Sequence, residues 1–224
     1  MSTLYVVATP IGNLEDITLR AIRILGEVDF ILCEDTRVTK KLLSHYDIKT
    51  STISYHANSK ITKLERILEL LEEGKNLALV SDAGTPAISD PGMQLISEIR
   101  EKLKDVKVLT VPGASALTAA ISVSGTPSAR FSFLGFLPHK KGRETLFAEI
   151  AATDQTTIFY ESPHRIIKTL ESLAKHCPEK NITIARELTK IYESVVSGKP
   201  AEVLQYYDEN KEEVRGEFVV IVSI

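Results

Sequence analysis

The chain of 224 residues is poor in cysteine: only Cys33 and Cys177 occur, and neither stands in a CxxC or Cys/His spacing. That excludes a disulfide framework and gives no support to a metal site, so two reduced structural thiols and no metal are expected. No run approaches the roughly 18 apolar residues of a membrane helix. The N-terminus MSTLYVVATP has neither a basic start nor a cleavage site, and a cytoplasmic protein is expected. Excess positive charge is lacking too, since the formal net charge is −3. Any contact with nucleic acid must therefore use local patches. No GxGxxG follows the first apolar run, which disfavours the usual dinucleotide fold, and no GxxxxGK[ST] is present for a P-loop. No GxSxG elbow points to an α/β-hydrolase. Repeats, low-complexity tracts and Gly/Ser-rich linkers are absent.

What is there is organised around Leu77–Gly92, LALVSDAGTPAISDPG. Leu77 to Val80 suits a strand buried on both faces, and it breaks into the small and polar Ser81-Asp82-Ala83-Gly84-Thr85-Pro86. Gly84 permits an unusual turn or a close approach to a ligand, and Pro86 pushes Thr85 toward an extended form. Asp90 reads as a helix N-cap, Pro91 as the first helical position, and Met93, Ile96, Ile99 and Leu103 as the buried face. In open α/β sheets ligands bind beyond the carboxyl ends of strands, although a tight connecting turn explains the same residues.

The remaining pattern repeats this alternation. Strands are predicted at 4–8, 28–33, 52–55, 77–80 and 106–111. Helices are predicted from Leu19 to a stop at Gly26, over 38–46, over 62–73 and after Pro91. Such alternation means right-handed βαβ units and a parallel sheet. Further on, helices are predicted over 114–123, 144–152, 166–176 and 200–210, and strands over 131–137, 156–160, 182–185, 192–197 and 217–224. The interval 182–197 leaves little room for a crossover helix, so pairing there should be antiparallel. The expected fold class is α/β, with two α/β domains: 1–112 around a parallel sheet and 113–224 around a mixed one, joined at the turn Pro112-Gly113.

Several strands end in polar clusters: Thr9-Pro10, Glu34-Asp35-Thr36-Arg37, His56-Ala57-Asn58, Ser81-Asp82, Glu161-Ser162 and Arg186-Glu187. Carboxyl ends of parallel strands share one edge, so these clusters should converge on one crevice. Each also has a plain explanation. Asp35 with Arg37 makes a local ion pair, His56 a satisfied loop histidine, and Arg186 with Glu187 a solvated face.

The segments TPIGNLEDIT (9–18), CEDTR (33–37), SDAGTPAISDPG (81–92), PGASA (112–116), YESPHR (160–165) and ARELTK (185–190) carry a resemblance that spans the whole chain. The chain resembles the ribosomal RNA small subunit methyltransferase I family, within the tetrapyrrole methylase-like class of S-adenosylmethionine-dependent methyltransferases. The resemblance implies 2′-O-methylation of a cytidine ribose in the decoding region of 16S rRNA. It also implies a homodimer acting on the small ribosomal subunit, with S-adenosylmethionine as cofactor between two α/β domains. Members of that family commonly continue past the position where this chain stops, Ile224.

By that resemblance the cofactor meets Pro10, Asp82, Ala83, Gly84, Thr85, Ser115, Ala116, Tyr160 and Ala185. A phosphate-free ligand fits a loop of small side chains, while Tyr160 also reads as a core aromatic. Deprotonation of a ribose hydroxyl calls for a base. Candidates are Asp35, His56 and Glu34, with Asp35 and Arg37 favoured as a pair and Asn58 on the ribose beside His56. Asn13 and Glu34 are placed on the substrate side. Lys140, Lys141 and Arg143 form one basic patch for RNA phosphates, and Lys40, Lys41, Lys60 and Lys63 another; single lysines are more often merely solvated. Alternatives are a methyltransferase for a tetrapyrrole or other small molecule, and a ribosome-associated protein that keeps the pocket without catalysis.

Overall fold

The computed structural model describes residues 2–56, 61–90 and 92–224. Short apolar runs become strands and the amphipathic stretches between them become helices. In the first half these are β1 (Thr3–Val7), α1 (Leu19–Glu27), β2 (Phe30–Cys33), α2 (Thr36–His45), β3 (Ser51–Ser54), α3 (Ile61–Glu72), β4 (Leu77–Leu79), α4 (Met93–Lys102) and β5 (Lys107–Val111). The strands form one parallel sheet in the order β3-β2-β4-β1-β5.

Alternation along each strand divides the core. Ala21, Ile24 and Leu25 of α1 and Leu43 of α2 pack with Val7, Ile31 and Ala78 on one face. Ile67 and Leu71 of α3 and Leu95 and Ile99 of α4 pack with Leu4, Leu32 and Leu77 on the other. Helices that leave β1 and β2 therefore cover one face, and those that leave β3 and β4 cover the opposite one. The reversal falls between the neighbours β1 and β4, and their carboxyl ends open the crevice where open α/β sheets bind ligands.

Two details differ from the sequence pattern. Helix α1 runs through Gly26, where a Cβ would meet nothing within 4 Å. Its end comes instead at Val28, which turns into the core. Helix α4 starts at Met93, with Gly92 as N-cap at φ +152° and no side-chain cap. Asp90 is drawn to Ser81 instead, and Pro91 lies outside the described residues. Met93 is consequently 73% exposed, and Leu95 and Ile99 form the buried face.

The second half builds α5 (Ala116–Ser124), β6 (Phe131–Phe136), α6 (Arg143–Ala152), β7 (Thr156–Glu161), α7 (Ile166–His176), β8 (Asn181–Arg186), β9 (Ser194–Gly198), α8 (Pro200–Glu209) and β10 (Phe218–Ser223). Its sheet order is β6-β7-β10-β8-β9, with β6 parallel to β7 and every other pair antiparallel, including the β8–β9 pair. Phe147 and Ile150 of α6, Leu170 and Leu173 of α7, and Val203 and Tyr207 of α8 supply its core.

The chain divides into two compact units, Met1–Ser115 and Ala116–Ile224. Pro112–Ser115 stay with the first unit because Thr85 Oγ1 donates to Ala114 O at 3.2 Å and Gly113 abuts Ala8. Cys33 and Cys177 are free and buried. Among the described residues, no helix is long and apolar enough to cross a membrane.

Candidate active site

At the reversal point the loops after β1 and β4 are stitched together by backbone. Thr9 N donates to Gly84 O at 2.9 Å, and Gly84 N donates to Thr9 O at 3.0 Å. Thr9 Oγ1 donates to Ser81 O at 3.1 Å, and Ser81 Oγ to Ala83 O at 3.2 Å. Ala8 N joins β5 through Val111 O at 3.1 Å. The loop holds unusual backbone: Gly84 has φ +81°, and Ala87 and Ser89 have φ +67° and +63°. Non-glycine residues in that region cost free energy and cluster at functional sites. At Gly84 a Cβ would stand 3.4 Å from Ile11 Cγ2, so the chain passes close to its neighbour there. Pro10 and Gly84 are buried, whereas Asp82 and Ala83 are exposed along the same edge.

Next to this clasp lies a set of carboxylates. Asp82 Oδ1 accepts from Asp35 N at 3.1 Å, which ties the loop after β4 to the end of β2. Burial, with Asp90 and then Asp82 close by, pushes the Glu34 carboxyl up to about 7. Burial also raises Asp90, opposed by its bond with Ser81 and assisted by Asp82. Asp35 behaves differently. It caps α2 by accepting from Arg37 N at 2.8 Å, and both its oxygens meet the Arg37 guanidinium, the shortest distance being 2.6 Å. Those bonds hold its carboxyl down to about 2. The two adjacent carboxylates of one strand end are thus driven in opposite directions by their surroundings.

Other residues singled out from the sequence fall as follows. His56 is exposed at the end of β3; Asn58 and Lys60 lie outside the described residues. Asn13 is used as a cap, its Oδ1 accepting from Glu15 N at 3.1 Å. Lys63 donates to Ser54 O at 3.1 Å, and Lys40 and Lys41 are exposed on α2. In the second unit, Tyr160 packs edge-on against Phe133 and Phe136, and Ala185 has no exposed surface. Ser115 and Ala116 are half-buried on either side of the division between the units. Arg143 is drawn inward. Its side chain is only 12% exposed, and Nη2 meets Glu161 Oε2 at 3.2 Å. Lys140 and Lys141 remain exposed. Sequence reasoning passed over Thr9 as a clasp and Glu161 as a buried counter-ion. Helical spacing gives no signal for the second, because Glu161 ends β7 and Arg165 precedes α7.

Residues 3–204 match the model of the tetrapyrrole (corrin/porphyrin) methylases. The chain belongs to the tetrapyrrole methylase family. A relative from Halalkalibacterium halodurans, named ribosomal RNA small subunit methyltransferase I, is 49% identical over 223 residues, spanning 99% of this chain and 75% of that protein. One of the same name from Thermotoga maritima is 43% identical over 223 residues, spanning 100% of this chain and 99% of that protein. The X-ray structure of cobalt precorrin-4 methyltransferase, a cobalamin biosynthetic enzyme, matches with a TM-score of 0.70 over 99% of this chain and 94% of that one. Its 16% identity speaks to the fold alone.

As a tetrapyrrole methylase the chain is a methyltransferase, and its methyl donor is S-adenosylmethionine. The residues present fit that donor. It carries a sulfonium, an ammonium and a carboxylate, a net single positive charge, and no phosphate, and the β1–β4 edge offers Glu34, Asp82 and Asp90 beside a loop kept open by Ala83 and Gly84.

Proposed function

We propose that this chain methylates the ribose 2′-hydroxyl of a cytidine in the decoding region of 16S rRNA, within the small ribosomal subunit and in the cytoplasm. The observation that carries the reading is identity of 43–49% over 99–100% of this chain to relatives named ribosomal RNA small subunit methyltransferase I. Pro10, Asp82, Ala83, Gly84, Thr85 and Ser115 are assigned to the donor. When bound, S-adenosylmethionine supplies an electrophilic methyl group.

A ribose hydroxyl must lose its proton to accept that group, and the best base has an affinity for protons matched to the working pH. Glu34, raised to about 7, meets that condition. Asp35 does not, because Arg37 occupies both oxygens and keeps it ionised far below neutrality. We therefore assign proton acceptance to Glu34. The Asp35–Arg37 pair positions substrate: the Arg37 side chain is 87% exposed and keeps an open edge for a phosphate. His56 and Asn58 are placed on the ribose, and Lys140 and Lys141 on the RNA backbone. Homodimerisation is supported by apolar surface in the second unit, where α5 buries only Ala120 and Val123, Phe131 and Phe136 stand exposed.

Transfer of tritiated methyl from S-adenosylmethionine to small subunits lacking the modification tests the reading, with nucleoside mass spectrometry to identify the product. The expected product is 2′-O-methylcytidine. Cofactor binding by calorimetry without any transfer to RNA would refute it in favour of a non-catalytic role, and transfer only to a tetrapyrrole would refute the RNA substrate.

A further inference from the structure

In the second unit, β6 and β7 run parallel, so the segments after Phe136 and after Glu161 leave the sheet at the same edge. Glu161 has no exposed side-chain surface. Its Oε1 accepts from Ser162 N at 2.8 Å and from Arg165 at 2.7 Å; its Oε2 accepts from Thr169 Oγ1 at 2.7 Å and from Arg143 at 3.2 Å. Both arginines use a second nitrogen on the other segment. Arg165 Nη1 donates to Leu137 O at 2.9 Å, and Arg143 Nη1 to Pro138 O at 3.1 Å. Arg143 Nη2 also reaches Thr169 Oγ1 at 2.6 Å, and its guanidinium lies 5.2 Å from the Phe147 ring centroid.

A buried carboxylate held this way contributes little net stability, since an apolar cluster of the same volume does as well or better. What it does supply is a fixed place for two consecutive carbonyls. Directly after them come His139, Lys140 and Lys141, exposed like Pro138, and the turn closes through Arg143 N to Lys140 O at 3.3 Å with Gly142 at φ +83°. Among the described residues, Lys140 and Lys141 take part in no ion pair. Two unpaired cations are thus carried on a loop whose root is bolted to a buried charge.

We infer that Glu161, Arg143, Arg165 and Thr169 are positioning residues that brace the Pro138–Lys141 loop as a preorganised arm for the RNA phosphate backbone. The inference rests on the RNA reading above. The backbone of an unanchored loop would lose conformational freedom on binding; a braced loop has given up much of it beforehand.

The experiment is a coupling cycle on the full chain, read as KM and kcat for methyl transfer to unmethylated small subunits. The lysine pair K140Q/K141Q is expected to raise KM for RNA by about tenfold and to reduce the magnitude of the salt slope by about two, one for each phosphate that a lysine no longer neutralises. E161Q should also raise KM for RNA about tenfold, with kcat and KM for S-adenosylmethionine unchanged, and should speed tryptic cleavage after Lys140 and Lys141. In the E161Q background the lysine pair should then cost less than about threefold, because the arm is already slack. T169V, which removes one hydroxyl without disturbing charge, serves where E161Q folds poorly; it should give the same pattern at smaller size. Independent, additive effects of the two changes would overturn the inference, as would unaltered RNA binding by K140Q/K141Q. No transfer to RNA by the unaltered chain would instead refute the proposed function.

Discussion

Glu34→Gln separates the chemistry of this edge from its stability. A carboxyl raised from 4.5 to about 7 binds its proton more tightly in the folded chain than in the unfolded one. The sign follows. Between those two values the folded state holds more protons, so stability falls as pH rises from 4.5 toward 7 and stays lowered above it. At ~1.4 kcal/mol per pH unit the full shift amounts to ~3 kcal/mol. Glu34 is partly solvent-accessible, and screening reduces this to about 1 kcal/mol. Glutamine keeps the shape and removes the charge, so it should raise the melting temperature by roughly 2–4 °C at pH ~8, with next to no gain at pH ~4.5. The same substitution should cut methyl transfer by about 100- to 10,000-fold at saturating S-adenosylmethionine. It should also abolish the roughly tenfold rise in rate per pH unit expected of the unaltered chain below the Glu34 midpoint. Scanning calorimetry without cofactor and a pH series of the transfer assay read the two halves separately. A melting temperature lowered at pH ~8, or a rate profile unchanged by the glutamine, would refute the assignment of Glu34.

Asp35→Asn should keep the α2 cap and leave the midpoint of the rate profile where it lies in the unaltered chain, since Glu34 sets it, while raising KM for RNA through the freed Arg37; a midpoint lost or shifted relative to the unaltered chain would return the base to Asp35. Gly84→Ala should destabilise the chain by about 1–2 kcal/mol because φ is +81° there, with denaturant titration as the measure. Because the nearest neighbour of the new Cβ is at 3.4 Å, strain rather than collision sets that cost. Binding of cationic S-adenosylmethionine near Glu34 and Asp90 should release protons at pH ~7, since a nearby positive charge favours the ionised carboxylate. Calorimetry in two buffers of different ionisation enthalpy measures the release, and proton uptake would contradict the placement of the donor at this edge.

The sequence by itself determined the order of strands and helices, because apolar runs of four to six residues alternating with helical stripes admit few arrangements other than a parallel sheet covered on both faces. It also determined the family, through long segments such as SDAGTPAISDPG and YESPHR. It also singled out the polar clusters after β1, β2 and β4, which the sheet brings to one edge. Side-chain roles were decided only by tertiary structure. Glu34 and Asp35 are adjacent and chemically alike, yet one faces Asp82 and Asp90 of the loop after the neighbouring strand β4 while the other is closed by a helix start and Arg37. Arg143, basic in a basic loop, looks like a phosphate ligand until Glu161, eighteen positions on, turns it inward. Protonation and charge pairing depend on which groups lie within a few ångströms and on how much water remains between them. Those distances are made by the sheet order, not by neighbours in the chain.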